Sequence, residues 1–109
     1  MHIQGIPFHV FDLENTPSES YAGTTGTALW KTVTQGSLRI RIVEYTAGYL
    51  ADHWCEKGHA VFVLDGSFDT ELRDGRRFHM QKGMGYLVAD QTDAHRSSTK
   101  DGVRLLIVD

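Results

Sequence analysis

The segment Ala60-Val61-Phe62-Val63-Leu64-Asp65-Gly66-Ser67-Phe68-Asp69-Thr70-Glu71-Leu72-Arg73-Asp74-Gly75 settles the fold class of this chain. Its first five residues are apolar without a break, and Asp65-Gly66 ends the run. Phe68, Thr70 and Leu72 then alternate with Asp69 and Glu71, which puts the two kinds of side chain on opposite faces of an extended strand. Asp74-Gly75 closes the segment with a turn signal, and Gly66 and Gly102 read as turn residues too.

The same grammar extends in both directions. Upstream, Leu38, Ile40 and Ile42 alternate with Arg39 and Arg41, the period of a half-buried strand, before Val43 and Tyr45 make both faces apolar. Downstream, Phe78-His79-Met80 leads to Gly83 and Gly85, and Tyr86-Leu87-Val88 and His95 to Thr99 are further short strands. Lys100-Asp101-Gly102 is a turn, and Val103 to Val108 a last, mostly apolar strand. No segment of helical length carries apolar residues at i, i+3, i+4 and i+7 over several turns. Many short strands at regular spacing predict an all-β sandwich or barrel. The β pattern begins at Leu29. The polar, turn-rich stretch from Asn15 to Gly26 reads as an extended arm or loop. The expected organisation is a single domain, with residues 1–28 as N-terminal arm, strand and loop and residues 29–109 as the barrel. Ala60–Leu64 and Val103–Val108 are apolar on both faces, whereas a strand packed on one side alternates. The arm, a partner subunit or both must cover the outer face, and a homodimer is expected.

The whole chain has 109 residues and a mass of 12.2 kDa, one domain's worth. Eleven Lys and Arg against fourteen Asp and Glu give a net charge of −3, which argues against a nucleic-acid partner. No apolar run is long enough to span a bilayer, and Met1-His2-Ile3-Gln4-Gly5 lacks the regions of a signal peptide. Cys55 is the one cysteine, so no intrachain disulfide forms, and a lone thiol fits a reducing, cytoplasmic location.

Chemistry concentrates in Asp52-His53-Trp54-Cys55-Glu56-Lys57-Gly58-His59. Residues two apart share a face of a strand, so His53 and Cys55 project together and Trp54 faces the other way, as packing or interface. The short Glu56-Lys57-Gly58 connection lets the chain reverse or turn a corner and return His59 beside Cys55. In a hairpin, facing side chains stand about 5 Å apart at Cβ, close enough to share a metal. Imidazole and thiolate suit Zn, Ni, Cu or Fe better than Mg or Ca. The plainer alternative is a hydrogen-bonded core histidine and a buried cysteine acting as a small hydrophobe. His2, His9 and His79 lack such company and receive no role. Glu56 and Lys57 read as solvated loop charges, and Gly83-Met84-Gly85 is too weak for a phosphate loop.

The order of these residues resembles a cupin. The first cupin motif is commonly G-x5-H-x-H-x3/4-E-x6-G; here Gly48 precedes His53, Cys55 stands at the second histidine, His59 stands at the glutamate, and six residues lead to Gly66. The second, G-x5-P-x-G-x2-H-x3-N, is met by Gly83 and His95, with Asp90, Thr92 and Thr99 at the proline, glycine and asparagine and one extra residue after Gly83. More closely, Ala51-Asp52-His53-Trp54-Cys55 through His59, with Gly83-Met84-Gly85-Tyr86, Val88-Ala89-Asp90, Ala94 to Thr99 and Leu106-Ile107-Val108-Asp109, is similar to the small bacterial DHCW-motif cupins. Gly26-Thr27-Ala28 and Val43-Glu44-Tyr45 fit as well, so the likeness spans most of the chain.

The resemblance implies a double-stranded β-helix, often dimeric, with one divalent transition metal (Zn, Ni or Fe) inside. Carried over by position, the ligand candidates are His53, Cys55, His59 and His95. For an enzyme, the barrel is expected to add an apolar enclosure with Tyr86, Gln91 and Ser97 as polar groups of the pocket. Two of the four ligand positions depart from the general pattern. The catalytic residues and substrate are left unassigned. One expectation is a metal-dependent enzyme on a small molecule, of oxygenase, isomerase or lyase type. The alternatives are a non-catalytic small-molecule-binding module, or redox/metal-sensing one, and a metal-free interaction barrel.

Overall fold

The computed structural model describes residues 3–109; His2 lies outside the described residues. The chain forms β1 (Glu19–Ala22), β2 (Thr27–Gln35), β3 (Leu38–Tyr45), β4 (His59–Leu72), β5 (Arg77–Gln81), β6 (Gly85–Val88), β7 (His95–Ser98) and β8 (Val103–Val108). Among the described residues there is no helix. All strand pairings are antiparallel: β1-β2-β3-β8-β4 run side by side, and the first half of β4 also pairs with β6. The second half of β4 lies between β5 and β7 in the facing sheet. This is a double-stranded β-helix, a small jelly-roll barrel, as the strand pattern led one to expect.

Asp65-Gly66 corrects the expectation of a turn. β4 is one strand of 14 residues, and Gly66 lies inside it. The pairing with β8 slips between Val63 and Asp65, a bulge that bends the strand and carries it from one sheet into the other. Gly66 has φ 77°, and a Cβ there would stand 2.4 Å from the Gly102 carbonyl oxygen, so the bend needs glycine. A Gly in a strand and a Gly in a turn look alike in sequence; the close approach of β8 decides between them.

β3 holds a second reversal. Its alternation is real, but the arginines face the interior: Arg41 is only 5% exposed and its pair across the ladder is the buried Ile107. Ile40 and Ile42 lie on the outer face, which the N-terminal arm covers in part. Ile6, Pro7 and Phe11 line a small groove there together with Val33, Leu38 and Ile40. The Glu14 carbonyl accepts a bond from Lys31 at 2.9 Å, and the Glu14 carboxylate pairs with Arg104. The arm therefore covers an apolar sheet face, while Phe62 and Leu87 on the same face stay exposed. Residues 19–22, within the stretch read as an extended arm or loop, add β1 to the sheet edge. All four are exposed, so no apolar period marked them. The boundary between residues 28 and 29 falls within β2.

The core joins Val43, Val61, Val63, Phe68, Met80, Val103, Leu105 and Ile107, with Trp30, Tyr45 and Tyr86 against it. Each fully buried aliphatic or aromatic side chain contributes roughly 1.5–3 kcal/mol over its exposed state. This apolar plug fills one end of the barrel interior. The inner face of β4 begins at His59 before Val61 and Val63, and that of β3 at Arg39 and Arg41 before Val43, so the polar groups gather at the other end.

Candidate metal centre

Cys55, His59 and His95 converge at the polar end, their potential ligand atoms all within 4.8 Å of one another. They arrive from three places. Cys55 and His95 sit opposite each other on an isolated bridge, with Cys55 N–H donating to the His95 carbonyl at 2.7 Å and His95 N–H to the Cys55 carbonyl at 3.0 Å. His59 opens β4 and pairs with Val88 of β6. The convergence is thus across the barrel, not across the hairpin that the Glu56–Gly58 connection suggested. Gly58 passes tightly beneath Ala89-Asp90, donating its N–H to the Asp90 carboxylate at 2.6 Å. That bond gives Asp90, at the proline position of the second motif, the task of anchoring the first. Thr99 likewise stands in for asparagine: its hydroxyl donates to the Ser67 carbonyl at 2.7 Å and accepts from Gly102 N–H at 3.0 Å.

The imidazole orientations suit ligation. His95 donates Nδ1–H to the Asp93 carbonyl at 2.9 Å, which turns the Nε2 lone pair towards the cluster. His59 turns Nδ1 towards the Asp109 carboxylate at 3.5 Å, and its Nε2 meets His95 Nε2 at 2.9 Å. Two nitrogens so placed need a proton or a cation between them, since two lone pairs would repel. A tetrahedral ion with ligands at about 2.0–2.1 Å spaces two nitrogens by roughly 3.3 Å, so a small opening accommodates one. Burial, then the neighbouring His95, pushes the His59 imidazole down to about 4, which keeps it neutral and available as a donor. The His95 imidazole, hydrogen-bonded to the thiolate form, draws Cys55 below its ordinary value against the opposing effect of burial. Burial disfavours the charged form of His95, yet the Cys55 and Asp93 bonds outweigh it and its pKa is raised. A thiolate and two imidazoles form a donor set that fits a borderline or soft divalent ion, and the residues present therefore fit such a metal.

His53 stands apart from the group. Its side chain is 71% exposed, with Nδ1 on Asp52 at 2.7 Å, although it does line the cavity mouth. Tyr86 and Ser97 line the same cavity of about 260 Å³; Gln91 does not, and instead borders a surface recess with Glu56 and Arg73. Trp54 faces outward, as its alternation with Cys55 indicated, beneath the guanidinium groups of Arg96 and Arg73. His79 is exposed and bonded to Asp69 at 2.6 Å, consistent with no role in the centre.

The cavity also holds residues that the sequence reading passed over. Arg39 and Arg41 enter from β3, and Lys57, read as a loop charge, reaches the mouth. Asp109 is nearly fully buried and accepts Arg39 Nε and Nη2, both at 2.9 Å, and Arg41 Nη2 at 3.0 Å. Burial raises its pKa, but the Arg39 bond and the Arg41 charge prevail and hold it below the usual carboxylate range. Arg41 stacks 4.3 Å over the Trp30 ring. The sequence signal for the arginines was their place in a run of isoleucines, which the half-buried pattern assigned to a polar face, and Asp109 entered only as the end of the stretch that resembles the DHCW-motif cupins.

No family model matches the chain, and no curated protein does. Solved structures do. An RmlC-like cupin from Shewanella frigidimarina superposes with a TM-score of 0.77 at 17% identity, over 94% of this chain and 90% of that one. A predicted oxalate decarboxylase from Thermotoga maritima gives 0.77 at 11% identity, over 92% and 96%. The chain has the cupin fold. Ectoine synthase from P. lautus superposes at 0.74 with 17% identity, over 93% of this chain and 76% of that one. At these identities the likeness is one of cupin architecture, which places the β-helix and the interior cavity. Function has to be argued from the side chains in it.

Proposed function

We propose that this small cupin binds one divalent transition metal through Cys55, His59 and His95 and acts as a metal-dependent enzyme on a small molecule, of oxygenase, isomerase or lyase type. The observation that carries the reading is the 2.9 Å approach of His59 Nε2 to His95 Nε2, each ring with Nδ1 turned to an oxygen, beside a thiol of lowered pKa. Three protein ligands leave a position for water or substrate. A bound Zn or Ni would supply Lewis acidity there, and Fe redox chemistry as well. The Asp93 carbonyl orients the His95 imidazole as an outer-shell acceptor does, and His59 Nδ1 faces the Asp109 carboxylate at 3.5 Å. Tyr45 and Tyr86 stay protonated, their pKa values raised by burial, and offer hydroxyl donors. The names of the structural neighbours span a decarboxylase and a synthase, so they leave the reaction open.

The second reading, a non-catalytic small-molecule-binding or redox/metal-sensing module, is favoured by the same Cys55 thiol, a partly exposed nucleophile next to histidine. Elemental analysis of tag-free protein prepared without chelator decides first. Near-stoichiometric Zn, Ni or Fe that is lost in His59→Ala and His95→Ala is expected. Unchanged stoichiometry in both variants refutes the ligand assignment.

The reading extends to a cytoplasmic protein of the DHCW-motif type that forms a homodimer. Support for self-association comes from Phe62 and Leu87 on the outer face, and from Phe8 and Val10 on the arm, which expose apolar surface to solvent. Light scattering is expected to give twice the chain mass, and Leu87→Glu to give monomer.

A further inference from the structure

Arg41 and Trp30 line the cavity, yet Arg41 Nε and Trp30 Nε1 are buried donors without a partner. Buried N–H groups are almost always satisfied, and exceptions mark a site where water, an ion or a ligand group belongs. Arg41 gives one Nη to Asp109 and has most of its five donors uncommitted. Charge points the same way. Arg39, Arg41, Arg96 and Lys57 place four cations on the cavity lining, where Arg96 is paired with Glu71 and the single buried carboxylate of Asp109 answers both Arg39 and Arg41. A positive excess inside a half-enclosed apolar barrel is costly unless an anion answers it. The remaining wall is organic in character: Tyr45, Tyr49, Tyr86, Leu105 and Ile107.

We infer that the Trp30–Arg41–Lys57 wall is an anion subsite, and that the cavity takes a small organic ligand bearing a carboxylate. The carboxylate lies against that wall, and the organic body lies on the tyrosines towards Cys55, His59 and His95. The arginine fork matches an oxyanion by paired hydrogen bonds, and Lys57 at the mouth adds attraction on entry. The tyrosine and aliphatic surface favours an organic carboxylate over a bare inorganic anion, which has no apolar body to bury. The inference names the ligand class of the proposed functional cavity, but it requires no metal.

The test is calorimetric titration of metal-free protein with benzoate, its neutral counterpart benzamide, and inorganic phosphate, with metal uptake measured in parallel. Benzoate is expected to bind one per chain, with benzamide and phosphate each at least tenfold weaker. Trp30→Phe, which keeps the ring and removes the indole N–H, is expected to weaken benzoate roughly threefold to tenfold. Lys57→Gln, at the exposed mouth, is expected to weaken it by a similar factor and to reduce the salt dependence. Arg41→Gln is expected to abolish binding, and the two milder variants keep the test valid should that protein fail to fold. Equal affinity for benzoate and benzamide overturns the anion subsite, as does indifference of benzoate to both Trp30→Phe and Lys57→Gln. Phosphate binding more tightly than benzoate overturns the organic-ligand assignment. Absence of metal uptake with benzoate binding intact would remove the proposed metal centre and leave this subsite standing.

Discussion

The two ends of the barrel interior are built by the same strands in the same register, yet they have opposite chemistry. At one end Val43, Val61, Val63 and Leu105 close a dry plug with Phe68 and Met80. At the other, the next inward positions along β3 and β4 are Arg41 and His59, with Asp109 beyond β8. The plug is stabilised by area removed from water, which is insensitive to direction. The cavity end is held by directed bonds among buried charges, where each partner offsets the desolvation of another. Two residues along a strand thus separate a region whose substitution costs stability from one whose substitution changes binding.

The largest effect on stability is expected at the plug. Phe68→Ala should destabilise the fold by about 3–5 kcal/mol through its cavity while metal stoichiometry in the folded fraction stays the same. Denaturant melts with elemental analysis check both halves, and loss of metal at unchanged stability would erase the contrast. Asp109→Asn should cost about 3 kcal/mol, because Arg41 keeps its charge and loses its carboxylate. A cost under about 0.5 kcal/mol would mean that the buried charges are not mutually compensated.

Acid sharpens the contrast. His59 titrates near 4 in the fold against an ordinary 6.5, so the unfolded chain binds more protons between those values. Its contribution is fully present above pH 6.5 and is lost as the pH falls towards 4. The stability difference between wild type and His59→Gln, both metal-free, should therefore shrink over that window. A pH-independent difference would overturn the buried neutral imidazole, and a plug variant such as Val63→Ala should show no such window. The smallest effect is expected outside the barrel: Trp54→Leu removes a cation–π contact worth about 0.5–1 kcal/mol and should leave metal binding untouched.

Most strands were legible from the sequence, with β1 and the continuity of β4 through Gly66 as the exceptions. β8 begins and ends where Val103 to Val108 predicts. Local spacing joined Cys55 to His59 and His53, and only the cupin resemblance added His95; in the structure Cys55 sits opposite His95, and His53 lies apart. The rest eluded a local reading for physical reasons. Period 2 gives the two faces of a strand without saying which one is inside, and the arm lying on Ile40 inverted the expected answer for Arg39 and Arg41. Gly66 carries the same letter in a turn and in a bulge.

The sequence by itself determined that this chain is all-β, where most of its strands lie and which residue types can ligate a metal, because periodicity and ligand chemistry are local properties. The tertiary structure alone decided that His53 stays in solvent while Arg39, Arg41 and Trp30 line the cavity and Asp109 pairs with the two arginines. Those facts depend on which strands become neighbours, and only the closure of the barrel brings residues 41, 59, 95 and 109 to one end of it.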